Sequence, residues 1–419
     1  MNQDSPKPGT EEPDYKVTAG RPDTSTRAGR LKMLYPTIGD LRAKARQRVP
    51  RFAFDYVDGA AGADEPNHRG NRAALDGIEI LPRYGVENYR ADTSVELFGK
   101  RYAGPLAIAP MGLPGLVLPG GEKAFARAAA AHEIPFTLGS SALATVEEVA
   151  ELAEGFAWFQ IYRMPRDDLA INMDWIARAT AAEVAALVVT IDVPARTKRP
   201  RELRNRLVLP YRIGPRTIAD VVTRPAWLRA YFRHGQNLFA NMQKYVGDNP
   251  SPAEAAEFAR GEGGGSFTWD EIARFRDAWK GPLIVKGILH PGDAERAVAL
   301  GADGIVVSNH GGRQLEAAPA SVDMLSTLVA AVGGRTEILF DGGLRSGVDL
   351  MRTTALGARF NLIGRAFMYG LAALGDEGPG FVADFFMEEL REALRQVGAR
   401  DLAAARDLDL RHPTAWRLD

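Results

Sequence analysis

Of the six histidines in this 419-residue chain, His310 lies in the stretch best equipped for chemistry, Ser308-Asn309-His310-Gly311-Gly312-Arg313-Gln314. An imidazole titrates near neutral pH and can take a proton from a substrate hydroxyl. Three residues on, Arg313 adds a permanent cation to the same loop. The two glycines between them let the backbone approach a ligand with no Cβ in the way. A structural histidine in a glycine turn is the plainer alternative, and the heptapeptide alone does not separate the two. The residues before it favour a site. Gly304-Ile305-Val306-Val307 is an apolar run of the kind buried on both faces of a parallel sheet, and its carboxyl end would hold the loop at a solvent-reachable mouth.

Two other stretches carry the equipment of an anion site. Asp341-Gly342-Gly343-Leu344-Arg345 and Gly364-Arg365 each join backbone amides to a guanidinium, which suits a phosphate. Lys286 ends the apolar run Leu283-Ile284-Val285, where an unpaired ammonium is expensive to bury. It needs an anion, supplied either by a ligand or by a carboxylate of the protein.

Positioning these groups requires strands that end together. Apolar strand candidates recur at Leu106 to Ala109, Phe136 to Leu138, Trp158 to Ile161, Leu187 to Ile191, Leu283 to Lys286, Gly304 to Val307, Ile338 to Phe340 and Leu362 to Ile363. Helical patterns alternate with them at Glu122 to His132, Val146 to Leu152, Asp168 to Ala181, Trp269 to Ala278, Pro291 to Leu300, Ser321 to Val332 and Gly347 to Leu356. Alternation of this kind indicates βα units, and eight strands predict a closed TIM (β/α)8 barrel. A doubly wound open sheet is the runner-up, but the turn after the first strand, Pro110-Met111-Gly112-Leu113-Pro114, lacks the glycine spacing that such a fold uses. In a barrel the site lies at the carboxyl ends of the strands. The residues leaving those ends are Pro110, Met111 and Gly112; Gly139, Ser140 and Ser141; Gln160 and Tyr162; Thr190 and Asp192; Lys286; Ser308 and His310; Asp341, Gly342 and Gly343; and Gly364 and Arg365.

Residues 1–34 are polar, Pro- and Gly-rich and without apolar periodicity, and are expected to form a disordered tail. Residues 35–419 are expected to form one domain, opening with an N-terminal helical cap that contains Tyr56. The connection after the fourth strand, about residues 195–268, is far longer than a turn and is expected to be a lid or insert. Lys plus Arg total 52 against 53 Asp plus Glu, so no basic field recruits nucleic acid and the partner is expected to be a small molecule. The absence of cysteine excludes thiolate chemistry and iron–sulfur clusters, and the histidine spacing offers no metal site. With no signal-like segment and no spanning run, the expected location is the cytoplasm.

The ordered motifs Val307-Ser308-Asn309-His310-Gly311-Gly312-Arg313-Gln314, Phe340-Asp341-Gly342-Gly343-Leu344-Arg345 and Ile363-Gly364-Arg365 closely resemble the FMN-dependent 2-hydroxy-acid dehydrogenase and oxidase family. Trp158-Phe159-Gln160-Ile161-Tyr162, Thr190-Ile191-Asp192-Val193-Pro194 and Val285-Lys286-Gly287 extend the match from about Pro36 onward. The resemblance implies FMN across the barrel mouth, with Pro110, Met111, Gly112, Ser140, Gln160, Thr190, Lys286 and Ser308 around the ring and ribityl chain. It places the phosphate on the Asp341-Gly342-Gly343 loop, Arg345, Gly364 and Arg365, and makes the flavin the anion that Lys286 needs. It also implies that Arg313, Arg199 and Tyr56 bind a substrate carboxylate, Tyr162 its hydroxyl oxygen, and that His310 is a base oriented by Asp192. The family usually has Glu after the loop arginine; here Pro200 follows Arg199, so Arg201 is an alternative assignment.

The implied activity is oxidation of an (S)-2-hydroxy acid, such as lactate or mandelate, to the 2-oxo acid, by hydride transfer to flavin N5 or a carbanion route. Alternatives are an oxidase of the same fold that releases hydrogen peroxide, a non-redox flavin- or phosphate-binding barrel enzyme, and a barrel that has lost catalysis. A homotetramer is implied as the assembly. Gly112 resembles mandelate dehydrogenase, where the oxidases usually have alanine, which implies slow reaction with oxygen. Residues 211–246 resemble the corresponding segment of membrane-associated mandelate dehydrogenase and mix Arg212, Arg216, Arg224, Arg229, Arg233 and Lys244 with Trp227, Leu228, Tyr231, Phe232, Leu238 and Phe239. Such a segment could rest peripherally on an anionic membrane, with quinone as acceptor, or close as a lid over the barrel or against a neighbouring subunit.

Overall fold

In the computed structural model, which describes residues 22–86, 89–195, 197–206, 214–235, 239–247 and 250–417, eight parallel strands close into a barrel. They are β1 Leu106–Met111, β2 Phe136–Gly139, β3 Ala157–Ile161, β4 Ala186–Thr190, β5 Leu283–Ile288, β6 Gly304–Val307, β7 Glu337–Asp341 and β8 Phe360–Ile363. Each pairs with its neighbour in sequence, and β8 returns to β1. Most of their residues are buried, as expected for strands covered by side chains inside the barrel and by helices outside. The expected (β/α)8 barrel is therefore present, with every anticipated strand within a few residues of its predicted place.

The two ends of the barrel are filled differently. An antiparallel hairpin, Val95–Leu97 with Lys100–Tyr102, closes the amino-terminal end. There Tyr102 meets Trp158 and Phe360 edge-on at ring-centroid distances of 6.4 and 5.4 Å, while Phe98 leans on Trp158. Aromatic packing of this kind is stability machinery, and it leaves the carboxyl-terminal end to the loops.

One cap helix organises two of those loops. Helix Pro66–Asp76 carries Asn67 and Asn71, whose side-chain oxygens accept from Asn309 Nδ2 at 2.6 and 2.8 Å, fixing the loop after β6. On the same helix, Arg72 donates to both oxygens of Asp349, to Oδ1 at 2.8 Å, and to the carbonyl of Gly343 at 2.9 Å. Asp349 has no exposed surface. It sits at the third position of helix Gly347–Ala355, caps it reciprocally with Ser346, and also accepts from the backbone of Arg345 at 2.8 Å. The loop after β7 is thereby tied to the cap.

Three expectations need correction or completion. The disordered tail was expected to reach residue 34, but Arg27–Leu34 is a helix capped by Thr26 and tied by ion pairs from Arg27 to Glu377 and Lys32 to Glu388; residues 1–21 lie outside the described residues. The apolar periodicity used to predict helices misses one whose partners lie in the distant carboxyl-terminal segment. Second, the insert is not a plain loop: helices Pro200–Arg204, Pro215–Val222, Pro225–His234 and Pro252–Glu262 each begin with a proline at the first turn. Third, the aromatic side chains of the insert do not form one face. Trp227 and Phe239 are buried, Trp227 packing on Phe52 at 5.9 Å and donating to the Leu116 carbonyl, whereas Tyr231 and Phe232 are exposed. Arg212 and Leu238 lie outside the described residues.

Replacing Asp349 strands half-buried cationic donors and uncaps a helix. Asp349→Ala is expected to lower the free energy of unfolding by about 3 kcal/mol or more. Ser346→Ala, which removes only the cap, should cost about 1 kcal/mol. Urea denaturation of the two variants measures both, and equal losses would contradict this assignment.

Candidate active site

At the carboxyl-terminal mouth of the barrel lies a cavity of about 690 Å³. Its wall includes Tyr56, Pro110, Met111, Gly112, Tyr162, Arg199, Lys286, His310, Arg313, Asp341, Gly342, Gly343, Arg345, Gly364 and Arg365, all singled out from the sequence. Ser140, Gln160, Thr190, Asp192 and Ser308 are not among the residues that line it.

His310 follows β6 in a left-handed conformation, φ +58°, which a residue with a Cβ rarely adopts. The strain is held by the Asn309 network, and it turns the imidazole between two partners. Nδ1 lies 3.0 Å from Asp192 Oδ1, and Nε2 lies 3.5 Å from the Tyr162 hydroxyl. Asp192 reaches this position because β5 bulges after Lys286. Gly287 adopts φ +103°, and a Cβ there would come within 2.5 Å of Asp192 Cγ. Burial would raise the Asp192 carboxyl, but His310 and Lys286 outweigh it and hold the group below its ordinary value. It remains an anion facing the imidazole. Burial, with Asp192 nearby, pushes the Tyr162 hydroxyl far up, so Tyr162 stays protonated.

Opposite stands a pair of guanidiniums. Arg313 donates from Nη1 to the carbonyls of Tyr56 and Gly59 at 2.7 and 2.9 Å and from Nη2 to Glu202 Oε1 at 2.6 Å. Arg199 donates to the Arg313 carbonyl at 3.1 Å and to the same Glu202 oxygen at 3.3 Å. Arg201, the alternative assignment, is bound to Asp58 and Glu65 and is absent from the wall. The structure brings Arg199, not Arg201, to the cavity. Glu202 escaped the sequence reading, although proline at the first helical position and an acid at the third is a legible helix start.

A third cluster fits a phosphate. Among the described residues, the hydrogen bonds of Arg365 go to the carbonyls of Val57, Gly59 and Gly311, at 2.8 to 3.0 Å. Its guanidinium falls to about 9, first through burial and then through the neighbouring cations Arg313 and Arg345. Arg345 is likewise lowered by burial, and its side chain donates to the Leu344 carbonyl. Among the described residues neither has a carboxylate within ion-pair distance. Buried cations left uncompensated beside Gly343, φ +82°, are what a phosphate dianion would neutralise. Among the described residues, Gln160 Nε2 and Thr190 Oγ1 are buried without a hydrogen-bond partner, which suits the polar edge of a ring ligand.

Lys286 has the carboxylate partner that the sequence reading set second to the flavin. Its Nζ lies 2.6 Å from Asp341 Oδ2 and 2.7 Å from Ser308 Oγ, and that hydroxyl in turn donates to Asp341 Oδ1 at 2.7 Å. Asp341 and Ser308 therefore act on the lysine from within the barrel end.

Comparison with known proteins agrees with this geometry. The model of the FMN-dependent dehydrogenase family matches residues 45–412. An L-lactate dehydrogenase of Caulobacter vibrioides is 39% identical over 374 residues, 89% of this chain and 96% of that protein. One from Pectobacterium atrosepticum is 37% identical over 390 residues, 92% of this chain and 100% of that protein. Among solved structures, the monotopic membrane protein (S)-mandelate dehydrogenase superposes with a TM-score of 0.83 at 34% identity, covering 90% of this chain and 99% of its own. A mandelate oxidase with (S)-4-hydroxymandelic acid gives 0.77 at 35% identity, with the same coverage.

The cationic corner leaves a titratable reporter. His68, on helix Pro66–Asp76, is pushed down to about 3 by burial and then by Arg365 and Arg345. Its folded value lies below its ordinary one, so the unfolded chain binds more protons between about pH 3 and 6.5, and stability rises with pH across that window. His68→Gln should remove a slope of up to about 1.4 kcal/mol per pH unit. Urea midpoints from pH 4 to 7 test this; parallel curves for wild type and variant would refute it.

Proposed function

The chain belongs to the FMN-dependent dehydrogenase family, oxidoreductases acting on 2-hydroxy acids, and from that premise and the site's geometry we propose that it oxidises an (S)-2-hydroxy acid to the 2-oxo acid. The observation that carries this reading is the pairing, across one cavity, of an imidazole backed by a carboxylate with two guanidiniums able to take a substrate carboxylate. Arg199 and Arg313 bind that carboxylate through planar donor groups, assisted by Tyr56. With the carboxylate so fixed, the 2-hydroxyl falls between Tyr162 and His310. Tyr162 donates to the oxygen, and His310 Nε2 accepts the hydroxyl proton. Asp192, on the other ring nitrogen, fixes the imidazole's orientation and stabilises the cation that forms.

FMN, the family's cofactor, supplies the two-electron acceptor when bound. Gly343, Arg345, Gly364 and Arg365 would hold its phosphate. Pro110, Met111, Gly112 and Lys286 would border its ring, with Ser140, Gln160, Thr190 and Ser308 supporting from behind.

Gly112 supports slow reaction with oxygen and an acceptor such as quinone. A Cβ at Gly112 would come within 2.7 Å of the Tyr56 hydroxyl, so the alanine usual in the oxidases would not fit here without moving Tyr56. A membrane location for that acceptor draws on the insert. Helices Pro215–Val222 and Pro225–His234 expose Ile218, Val222, Tyr231 and Phe232 together with Arg216, Arg229 and Arg233, the composition of a surface that rests on an anionic leaflet. The buried Trp227 would serve as its anchor to the barrel. Among the described residues no helix is long and apolar enough to cross a membrane, so the contact would be peripheral.

Two outcomes are expected. Adding a 2-hydroxy acid anaerobically should bleach the yellow protein, and His310→Ala should slow bleaching by a factor on the order of 10² to 10⁴ while FMN stays bound; near-normal bleaching in the variant would sink the mechanism. The protein should also pellet with anionic liposomes at low salt and release at high salt, and Ile218→Asp with Phe232→Asp should abolish pelleting. Wild-type protein that remains in the supernatant at low salt would rule the membrane contact out.

A further inference from the structure

Within the site just read as binding a substrate carboxylate, the protein already holds a carboxylate of its own. Glu202 Oε1 accepts from both guanidiniums, at 2.6 Å from Arg313 and 3.3 Å from Arg199. Its position follows from local structure. Arg199 is the N-cap of helix Pro200–Arg204, and side chains of a first turn point back toward the helix start, which brings Glu202 over Arg199. A carboxylate needed only to tie two arginines together could sit behind them. Glu202 instead forms part of the cavity wall, with its side chain 18% exposed.

We propose that Glu202 is a specificity-determining residue, which sets the charge of the pocket so that it accepts ligands with one carboxylate and repels those carrying a second in the side chain. Two guanidiniums and one carboxylate leave a net charge of +1, which a monocarboxylate neutralises. A second carboxylate on the ligand would share the cavity with Glu202, whose charge has its own sign. The contrast with Arg201 supports a dedicated role. That neighbouring arginine is matched by Asp58 and Glu65 of the N-terminal cap, away from the cavity, so its structural pairing does not use Glu202. Burial and the repulsion of Arg313 both lower the Arg199 guanidinium, and Glu202 opposes them.

The proposal rests on the reading of Arg199 and Arg313 as a carboxylate site, and binding alone tests it. Propionate and succinate are titrated calorimetrically into the FMN-loaded protein, into Glu202→Gln and into Glu202→Asp, with thermal melts and flavin content as controls. Wild type should prefer propionate. Glu202→Gln, which keeps the shape and removes the charge, should shift the preference toward succinate by about tenfold, the scale expected for one partly screened charge a few ångströms away. Glu202→Asp should retain the wild-type preference. A ratio in Glu202→Gln within twofold of wild type overturns the proposal, including the case in which both ligands weaken together, which would leave Glu202 a structural tie. Should Glu202→Gln fail to fold, wild-type protein that binds succinate as tightly as propionate overturns it independently. Failure of the proposed activity reads out differently: no 2-hydroxy acid would bleach the flavin, whatever the ratio.

Discussion

The site depends on how its arginines are held. Helix Arg51–Asp58 ends at the barrel mouth, and its last carbonyls lack partners within the helix. The carbonyls of Tyr56, Val57 and Gly59 are taken by Arg313 from the loop after β6 and by Arg365 from the loop after β8. A carbonyl satisfies a guanidinium's donors and contributes the partial negative charge of a helix end, yet leaves the net charge in place. The cations are therefore rigid and still available to an anion. Arg42 and Arg201 make the opposite case. Both meet the buried carboxylate of Asp58, which they hold well below the usual carboxylate range against the upward push of burial, and their charge is used up in fixing the cap.

The same economy of position governs the base. His310 occupies a strained backbone region that costs of order 1–3 kcal/mol. The cost is offset by the Asn67, Asn71 and Asn309 cluster and by Ser308 Oγ, which accepts from the His310 amide at 3.0 Å. Gly287 then removes the Cβ that would displace Asp192. Base and orienter thus come from two different loops, and neither could reach the other without a backbone irregularity next to it.

These origins explain what was legible in the sequence. The eight strands could be read because β-branched and apolar runs of fixed length alternate with amphipathic helices, and the barrel rule then nominates whatever leaves each strand. Tyr162, His310, Lys286, Arg345 and Arg365 were reached that way. What could not be read is long-range pairing: Arg72 with Asp349 is 277 positions apart and Asn71 with Asn309 is 238, and no local pattern announces either. Helices Arg365–Leu374 and Gly378–Val397 went unnoticed for a related reason. The first is apolar nearly all round because it is buried on most sides, so it shows no clean stripe. The division of the insert aromatics into a buried Trp227 and an exposed Phe232 depends likewise on Phe52, far away in the chain.

Lys286 shows how two competing readings can both follow from one group. The sequence posed a ligand anion against a carboxylate of the barrel, and the ion pair with Asp341 is present. An ammonium has three N–H donors. Asp341 and Ser308 take two of them, and the side chain still contributes to the cavity wall. A third donor is left for whatever occupies the mouth. Burial alone would lower this lysine, but Asp341 and Asp192 together hold it above its ordinary value. The ion pair thus supports the other reading: Asp341 favours the charged form of the buried lysine, and that charge can meet the anionic edge of a ligand.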